Sequence, residues 1–535
     1  MLSSKVQSTS RVSWVKRLRS SAYSTVQSGR FCLEEETPVP KLDRGRSIVR
    51  GLGSLTMQSA LSAVLGFVQF TVLVRLLTQP VYGAYASVQV SASIVTVIAS
   101  LGLGSAVIKY LAPSSGPVGT GWGPAKAATH LTMAFTGAAS LVFVLAAPYL
   151  SDYFLKTTAD AWVFYLGALW VFTSAINTPV LSMLQAMRKY QRYSIILVLS
   201  RFVAVSVSVA GVVLYQSLAV ALISNALYAT LATVAVFPSV LRPLRKASAK
   251  GSYMTVLRYA APLGVAGIVS VIASSADIVV VGGYLSPSDL AIYNATVTIS
   301  SVLSAFFVLP LVTALFAETS FSAERAAEVA KGTGLALRFL LVTLLPASLL
   351  AAALSPQLFG LFSGKGSYSV GIPYLELITL FYVFYAVQTV SIYVLQGVGR
   401  TRQVLILGVL TAAGEIALSA SLVPLVGLEG AAFSRVAVFV AGALLALYFI
   451  RDHVPRPAPF RFVARATLAA AAPAVVVYLL SAFLSDRVLS LLPYTLLGLA
   501  LFVLCAKALR LLNDEDKSYL GHLLPGALQW VLRLL

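Results

Sequence analysis

The chain has 535 residues, of which 58% are hydrophobic and only 11% are charged, whereas an average soluble domain carries about 25% charged residues. This composition excludes an ordinary soluble enzyme. The formal net charge of +20 would suggest nucleic-acid binding in a soluble protein, but no recognition motif accompanies it, and we expect no nucleic-acid partner. The two cysteines and three histidines show no metal-ligand spacing, so we expect no metal site and no cofactor.

Apolar segments of roughly 20 residues, enough to cross a hydrocarbon layer about 30 Å thick, recur along most of the chain. They predict an all-α polytopic membrane protein. We predict about fourteen transmembrane helices, spans 1 to 14 in chain order: 52–74, 85–108, 130–150, 161–184, 194–214, 218–238, 259–282, 291–316, 333–354, 373–396, 403–423, 428–450, 464–484 and 487–509.

Positive charge is distributed unevenly between the two sides of these spans. With alternate loops assigned to opposite sides, both tails and every even-to-odd loop share one side, here called the basic end. With the two turns of each span next to that side counted as part of the basic end, only six of the 39 Lys and Arg residues lie elsewhere. Four are at the opposite end and two lie deeper within spans: Arg75, Lys156, Lys365 and Arg487, then Arg201 and Arg435. Because Lys and Arg collect in cytoplasmic loops, we predict a multi-pass protein of the plasma membrane with both termini cytoplasmic.

The sequence contains an internal repeat. The segment LLTQPVYGAYASV (76–88) aligns with YLSPSDLAIYNAT (284–296), and QAMRKYQR (185–192) aligns with GVGRTRQV (397–404). Both pairs lie about 210 residues apart, which superimposes spans 1–6 on spans 7–12. The repeat predicts two six-helix lobes of the same orientation, followed by a C-terminal helical hairpin. Within the first segment, Pro80 and Gly83 are expected to shape a tight turn, and Tyr82 and Tyr85 to lie in an interfacial aromatic belt.

These features divide the chain into six parts. They are a basic cytoplasmic tail, the N-terminal lobe, a basic loop between the lobes, the C-terminal lobe, spans 13 and 14, and an amphipathic cytoplasmic tail: 1–46, 47–240, 241–258, 259–450, 451–510 and 511–535. We expect the basic inter-lobe loop to lie against anionic membrane lipid.

An ordered set of segments resembles a known family. The segments are RLL followed by TQPVYGAYASVQ, SLGLGSAVIKYLA, QGVGRTRQ, and PLVGLEGAAFSRV. They are similar to those of the prokaryotic polysaccharide transporters, the Wzx-type flippases of the multidrug/oligosaccharidyl-lipid/polysaccharide superfamily. The resemblance implies two lobes around a central cavity. It also implies movement of polyprenyl- or dolichyl-linked oligosaccharide from the cytoplasmic to the outer leaflet by alternating access. We expect the protein to function as a monomer.

Two alternatives remain open. One is a multidrug/cation antiporter of the same superfamily, although such antiporters usually have twelve spans and lack spans 13 and 14. The other is a polytopic membrane glycosyltransferase or polymerase. The longest outer loop, 355–372, contains no carboxylate for catalysis, and the chain has no GxxxxGK[ST] motif for ATP hydrolysis. We therefore predict a transporter and not an enzyme.

Polar side chains within the spans are the candidate site residues, because a charge in the bilayer needs a partner or a cavity. A cavity-facing Arg201 would bind phosphate through its planar guanidinium. Gln58 and Gln69 on span 1 would bind sugar hydroxyls or join neighbouring helices. Arg435 is the fourth candidate for substrate binding.

Two carboxylates are candidates for coupling to Na⁺ or H⁺. From the helical rise of 1.5 Å per residue, Glu415 and Arg435 lie at one depth of an antiparallel hairpin and are expected to form an ion pair. Asp277, on span 7, has no basic neighbour in sequence. In the related lipid II flippases, spans 7, 11 and 12 frame a cation site, which makes Asp277 and Glu415 the cation-coupling candidates.

Overall fold

The computed structural model describes residues 41–112, 121–312, 315, 326–364, 366–452, 454, 459–484 and 490–511. Most of the predicted N-terminal tail and the amphipathic C-terminal tail lie outside these residues. Residues 1–50 and 51–535 form two separate compact units, and the architecture below is that of the second.

Seventeen α-helices make up nearly all of the described chain, which shows no strand. In chain order they are α1 Lys41–Leu76, α2 Gln79–Ser100, α3 Leu103–Leu111, α4 Trp122–Leu155, α5 Ala161–Ala186, α6 Tyr190–Tyr215, α7 Leu218–Lys246, α8 Tyr253–Tyr284, α9 Pro287–Leu303, α10 Ala326–Ala353, α11 Ser355–Ser363, α12 Ile372–Leu380, α13 Tyr382–Gly397, α14 Thr401–Val426, α15 Leu428–Ile450, α16 Phe460–Leu484 and α17 Leu491–Ala508.

The count of membrane spans agrees with the prediction from sequence. Among the described residues, thirteen helices are long and apolar enough to cross a membrane. A further pair, Tyr368–Leu380 and Tyr382–Gly397, meets the same criteria together but is bent by 45°. This pair corresponds to predicted span 10. Counted as one span, it brings the total to fourteen.

The spans pack as the two predicted six-helix lobes and a hairpin. Helices α1–α7 supply the N-terminal lobe and α8–α15 the C-terminal lobe, with α8 packing against α14 and also against α2, α3 and α4. Helices α16 and α17 pack on each other and on α10, where small side chains such as Ala466, Ala469 and Ala470 are buried. The hairpin therefore extends the C-terminal lobe.

Span 2 differs from its predicted course. The helix begins at Gln79, with Pro80 in its first turn, and ends at Ser100. The chain then passes through two left-handed residues, Leu101 (φ 38°) and Gly102 (φ 70°), before α3 begins. A Cβ on Gly102 would lie 2.7 Å from the Ala260 carbonyl oxygen on α8. Glycine therefore permits both the positive φ and the close approach of the two backbones.

Candidate functional site

A cavity of about 300 Å³ lies between the two lobes. Helices α1, α2 and α6 line it from the N-terminal lobe. From the C-terminal lobe it is lined by α9 and by the π-helical turn Ser304–Val308 that follows α9. Its thirteen lining residues are Ala63, Gly66, Phe67, Gln69, Phe70, Leu73, Tyr82, Tyr85, Gln89, Arg201, Thr298, Ser301 and Ala305. Two of the predicted site residues, Gln69 and Arg201, are among them.

Helix α2 turns three polar side chains toward this cavity. Tyr82, Tyr85 and Gln89 follow the i, i+3, i+7 spacing that places residues on one face of a helix. The predicted aromatic belt is wrong for these tyrosines, since Tyr82 is 2% and Tyr85 6% exposed. The i, i+3, i+7 spacing of these three residues is present in the sequence. The prediction of a tight turn at Pro80 assumed that proline interrupts a helix, whereas Pro80 lies in the first turn of α2.

Arg201 is the charged residue of the cavity lining. Its guanidinium lies over the Tyr228 ring at 5.5 Å from the centroid. One of its nitrogens is 3.6 Å from where a Cβ on Gly66 would stand, so this glycine lies directly against the guanidinium. Within the part of the chain that the structure describes, no carboxylate lies at ion-pair distance from Arg201. The lining thus contains one cation without an anionic partner.

The two glutamines of α1 lie in different surroundings. Gln69 is 3% exposed, and its Nε2 donates to Ser208 at 3.1 Å and to Ser224 at 3.4 Å. It therefore joins α1 to α6 and α7 as well as bordering the cavity. Gln58 donates to Ser62 on its own helix at 3.1 Å and is not among the lining residues.

The C-terminal lobe holds a buried ion pair that differs from the pair expected from the sequence. Arg435 donates from Nε to Asp277 Oδ2 at 2.6 Å and from Nη2 to Asp277 Oδ1 at 2.9 Å. Tyr293 donates its hydroxyl to Asp277 Oδ2 at 2.5 Å. The Asp277 side chain is fully buried and that of Arg435 is 12% exposed. Helices α8, α9 and α15 meet at this cluster.

One expectation about these charges is therefore corrected, because the carboxylate that pairs with Arg435 is Asp277 and not Glu415. Asp277 has no basic neighbour in sequence, and the fold brings Arg435 to it. Glu415 is 3% exposed and accepts a hydrogen bond from Ser419 at 3.4 Å, one turn along α14. Helical rise gave the depth of Glu415 and Arg435 but not the direction in which each side chain points, and α8 lies on the side that Arg435 faces.

The two lobes carry the same three-position arrangement with different chemistry. The repeat that aligns Tyr85 with Tyr293 also aligns Gln69 with Asp277. Asn225 and Arg435 correspond as well, because each is the eighth residue of its helix, α7 or α15. In the N-terminal lobe Asn225 donates to the Tyr85 hydroxyl at 3.2 Å. The N-terminal copy is thus uncharged and borders the cavity, whereas the C-terminal copy is an ion pair buried within its lobe.

Contacts between the lobes close the end opposite the basic end. The Tyr82 hydroxyl donates to Asn294 at 2.9 Å. Gly83 packs so closely that a Cβ there would lie 1.9 Å from the Pro287 carbonyl oxygen. Arg75 donates to the carbonyl of Leu361 on α11. These contacts lie where α1 ends and where α2 and α9 begin.

Lys156, directly after α4, adds a further contact at this end. Its ammonium donates to the carbonyls of Gly282 at 3.2 Å and Gly283 at 2.5 Å, in the last turn of α8. Burial lowers the pKa of Lys156 from its ordinary value, and the nearby Asp152 partly opposes this effect. A cation at a helix C-terminus interacts favourably with the helix dipole, so the charged form of Lys156 holds α4 to α8.

The cavity between two repeated lobes of membrane-spanning helices is the architecture of a transporter. A family model described as polysaccharide biosynthesis protein matches residues 72–366, more than half of the chain. The chain therefore belongs to the polysaccharide biosynthesis protein family, which confirms the resemblance drawn from its sequence segments. No curated protein matches the chain significantly in sequence.

Solved structures share the fold over most of the chain. The lipid II flippase MurJ in an inward closed conformation superimposes with a TM-score of 0.70 at 14% identity, covering 84% of this chain and 97% of MurJ. An inward-facing multidrug resistance MATE family transporter of the MOP superfamily gives 0.62 at 15% identity, covering 75% and 94%. A MOP superfamily transporter from Pyrococcus furiosus gives 0.51 at 16% identity, covering 77% and 96%. These matches confirm the predicted fold class.

Proposed function

We propose that the protein is a flippase that moves lipid-linked oligosaccharide or polysaccharide precursors across the plasma membrane by alternating access, without catalysing a reaction. The observation that carries this proposal is the inter-lobe cavity, which offers a guanidinium, amides and hydroxyls to a ligand. A phosphate-linked sugar head group matches these groups chemically. Family membership and the flippase named among the structural neighbours support the same function.

The structure also supports an exchange between two arrangements of the lobes. The lobes meet at the end opposite the basic end through Tyr82, Gly83 and Lys156. Near the basic end they meet where Gly102 lies against Gly264 on α8. The cavity lies between these zones of contact. Breaking one zone at a time would expose the cavity to each side of the membrane in turn, while the prenyl chain of the substrate stays in the surrounding lipid.

The multidrug/cation antiporter is the second candidate, and the MATE transporters among the structural neighbours favour it. The two functions differ in substrate. Liposomes reconstituted with the purified protein should translocate a fluorescent lipid-linked sugar, measured by the fraction of label that an impermeant quencher reaches over time. Translocation of small cationic dyes but not of the lipid-linked sugar would reverse the assignment.

Glu415 is the proposed site of coupling to H⁺ or Na⁺. Of the two candidate carboxylates, Asp277 already has its charge compensated by Arg435, whereas Glu415 has a weak hydrogen bond from Ser419. In the same liposomes, Glu415→Gln should abolish the dependence of transport on an imposed ion gradient while transport without a gradient continues. The conservative variant Glu415→Asp is the matched control, because it keeps an ionisable group. Unchanged gradient dependence in Glu415→Gln would exclude this role.

The orientation in the membrane completes the proposal. The basic end faces the cytoplasm, because positively charged short loops are retained there. The opposite end, where the contact between Tyr82 and Asn294 closes the cavity, faces outward. Reporters fused after Lys246 and after Lys365 should therefore report cytoplasm and exterior, respectively. The opposite pattern would invert the direction of transport proposed here.

A further inference from the structure

The ion pair in the C-terminal lobe consists of oxygen atoms arranged around one cation. Arg435 donates from Nε and Nη2 to the two carboxylate oxygens of Asp277, and Nη2 also donates to the Ser274 carbonyl oxygen at 3.2 Å. The Tyr293 hydroxyl, which donates to Asp277, lies 3.2 Å from the Ala431 carbonyl oxygen. Carboxylate, carbonyl and hydroxyl oxygens thus lie together at the junction of α8, α9 and α15.

A second carboxyl group lies near this junction. Glu415 on α14 is 3% exposed and lies close enough to Asp277 and Arg435 to interact electrostatically with both. Among the described residues, Arg435 is the one cation within ion-pair distance of Asp277. The junction therefore has two acidic groups and one basic group, and its positive charge comes from the chain itself.

A free Na⁺ does not fit this junction. Hard cations bind carboxylate and backbone carbonyl oxygens, and the guanidinium already engages these oxygens. A second cation would have to share Asp277 with Arg435, where two like charges repel each other strongly in surroundings of low dielectric constant. The resemblance to the lipid II flippases implies a cation site framed by spans 7, 11 and 12. Those spans are α8, α14 and α15, which carry Asp277, Glu415 and Arg435.

We propose that Arg435 is a tethered cation that takes the place of a bound Na⁺ in the C-terminal lobe. Its guanidinium compensates the charge of Asp277 and holds α15 to α8, as an exchangeable ion would, but it is covalently attached and cannot leave. The inference concerns the coupling ion of the proposed flippase. Of the two ions considered for coupling at Glu415, it excludes Na⁺, because Arg435 holds the neighbouring oxygens. Transport therefore does not depend on Na⁺.

Removing the guanidinium should create a Na⁺ site. Arg435→Ala leaves the oxygen atoms in place and frees the space that the guanidinium fills. Unfolding temperatures of the purified protein are compared in NaCl and in choline chloride of equal concentration. Na⁺ should raise the unfolding temperature of Arg435→Ala by at least about 2 °C, because an ion that binds only the folded state stabilises it. The wild-type protein should unfold at the same temperature in both salts.

Three further variants serve as controls. Arg435→Ala combined with Asp277→Asn lacks the anion and should lose the Na⁺ effect. Arg435→Lys keeps a tethered cation and should remain insensitive to Na⁺. Arg400→Ala makes the same substitution at the exposed pair with Asp452 and should also show no Na⁺ effect. If Arg435→Ala folds in neither salt, Arg435→Gln is compared in the same way, because it keeps a hydrogen-bond donor for Asp277 but has no charge.

Stabilisation of the wild-type protein by Na⁺ would overturn the inference, as would a folded neutral variant of Arg435 that Na⁺ does not stabilise. Transport separates the inference from the proposed function. Wild-type liposomes should translocate the fluorescent lipid-linked sugar equally fast in NaCl and in choline chloride, at matched pH and membrane potential. Transport that requires Na⁺ would overturn the tethered cation and leave the flippase function standing. Transport in neither salt, with the expected unfolding temperatures, would overturn the flippase function and leave the tethered cation standing.

Discussion

Replacing Arg435 by methionine is expected to lower the free energy of unfolding by about 3–5 kcal/mol, the cost of leaving a buried charge without its partner. Asp277 is fully buried, so its carboxylate would retain the Tyr293 hydrogen bond but lose both hydrogen bonds from the guanidinium. Because α8, α9 and α15 meet at this cluster, the loss should loosen the whole C-terminal lobe. Thermal unfolding of the purified protein, followed by intrinsic fluorescence, measures the effect.

The double variant Asp277→Asn with Arg435→Met should recover most of the lost stability. Asparagine keeps an oxygen to accept the Tyr293 hydroxyl, and no unpaired charge remains in the lobe. Asp452→Asn is the matched control. Asp452 is exposed and lies 3.7 Å from Arg400, so breaking this surface pair should cost only about 0–1 kcal/mol. Equal losses at the two sites, or no recovery in the double variant, would contradict a buried structural pair.

Activity of the double variant distinguishes the two roles considered for Arg435. A folded double variant that still translocates lipid-linked sugar would limit Arg435 to holding α15 to α8. A folded variant that has lost transport would show that the charges themselves act in the cycle. The first outcome is expected, because neither residue borders the cavity.

The architecture could be predicted from the sequence because the bilayer constrains it strongly. A span must be apolar over a fixed length, and positive charge marks alternate loops, so fourteen spans follow without knowledge of any contact. The internal repeat then divides the first twelve spans into two lobes. The sequence does not predict the break between α2 and α3 at Gly102. The apolar character of span 2 continues through it, and the need for a positive φ comes from the close approach of α8, which lies far away in sequence.

The site was only partly predictable, because sequence gives depth along a helix more directly than rotation about it. Arg201 and Gln69 were identified as rare polar residues in apolar spans, and this signal does not depend on rotation. The identity of the residue that pairs with Arg435, in contrast, depends on how α15 is rotated about its axis. The repeat contained part of the missing information, since the alignment of Tyr85 with Tyr293 also aligns Gln69 with Asp277. The correspondence of Asn225 with Arg435 needs the observed starts of α7 and α15.

Introducing a methyl group at Gly83 should open the cavity toward the outer side. A Cβ at Gly83 would lie 1.9 Å from the Pro287 carbonyl oxygen, whereas carbon and oxygen atoms normally approach to about 3.3 Å. The obstacle is backbone and not a flexible side chain, so the first turns of α2 and α9 must move apart. This movement would also strain the hydrogen bond from Tyr82 to Asn294, and the closed outer end would lose stability by about 1–3 kcal/mol.

The opening is measurable as access to the cavity. In a background without Cys32 and Cys505, Thr298→Cys places a thiol on the lining contributed by α9. An impermeant thiol reagent added outside should label it at least about fivefold faster when Gly83→Ala is present, as a shift of about 1 kcal/mol or more in the closed state implies. Gly137→Ala is the matched control, because nothing lies within 4 Å of the added Cβ.

The pattern of labelling and transport then shows whether this contact takes part in the transport cycle. Gly83→Ala should translocate lipid-linked sugar more slowly than Gly137→Ala, since a carrier held open outward returns less often to accept substrate from the cytoplasm. Faster labelling together with unchanged transport would show that closure at Gly83 does not limit the cycle. Unchanged labelling in a folded Gly83→Ala protein would mean that the outer end closes without the contact between α2 and α9, contrary to the role proposed for it.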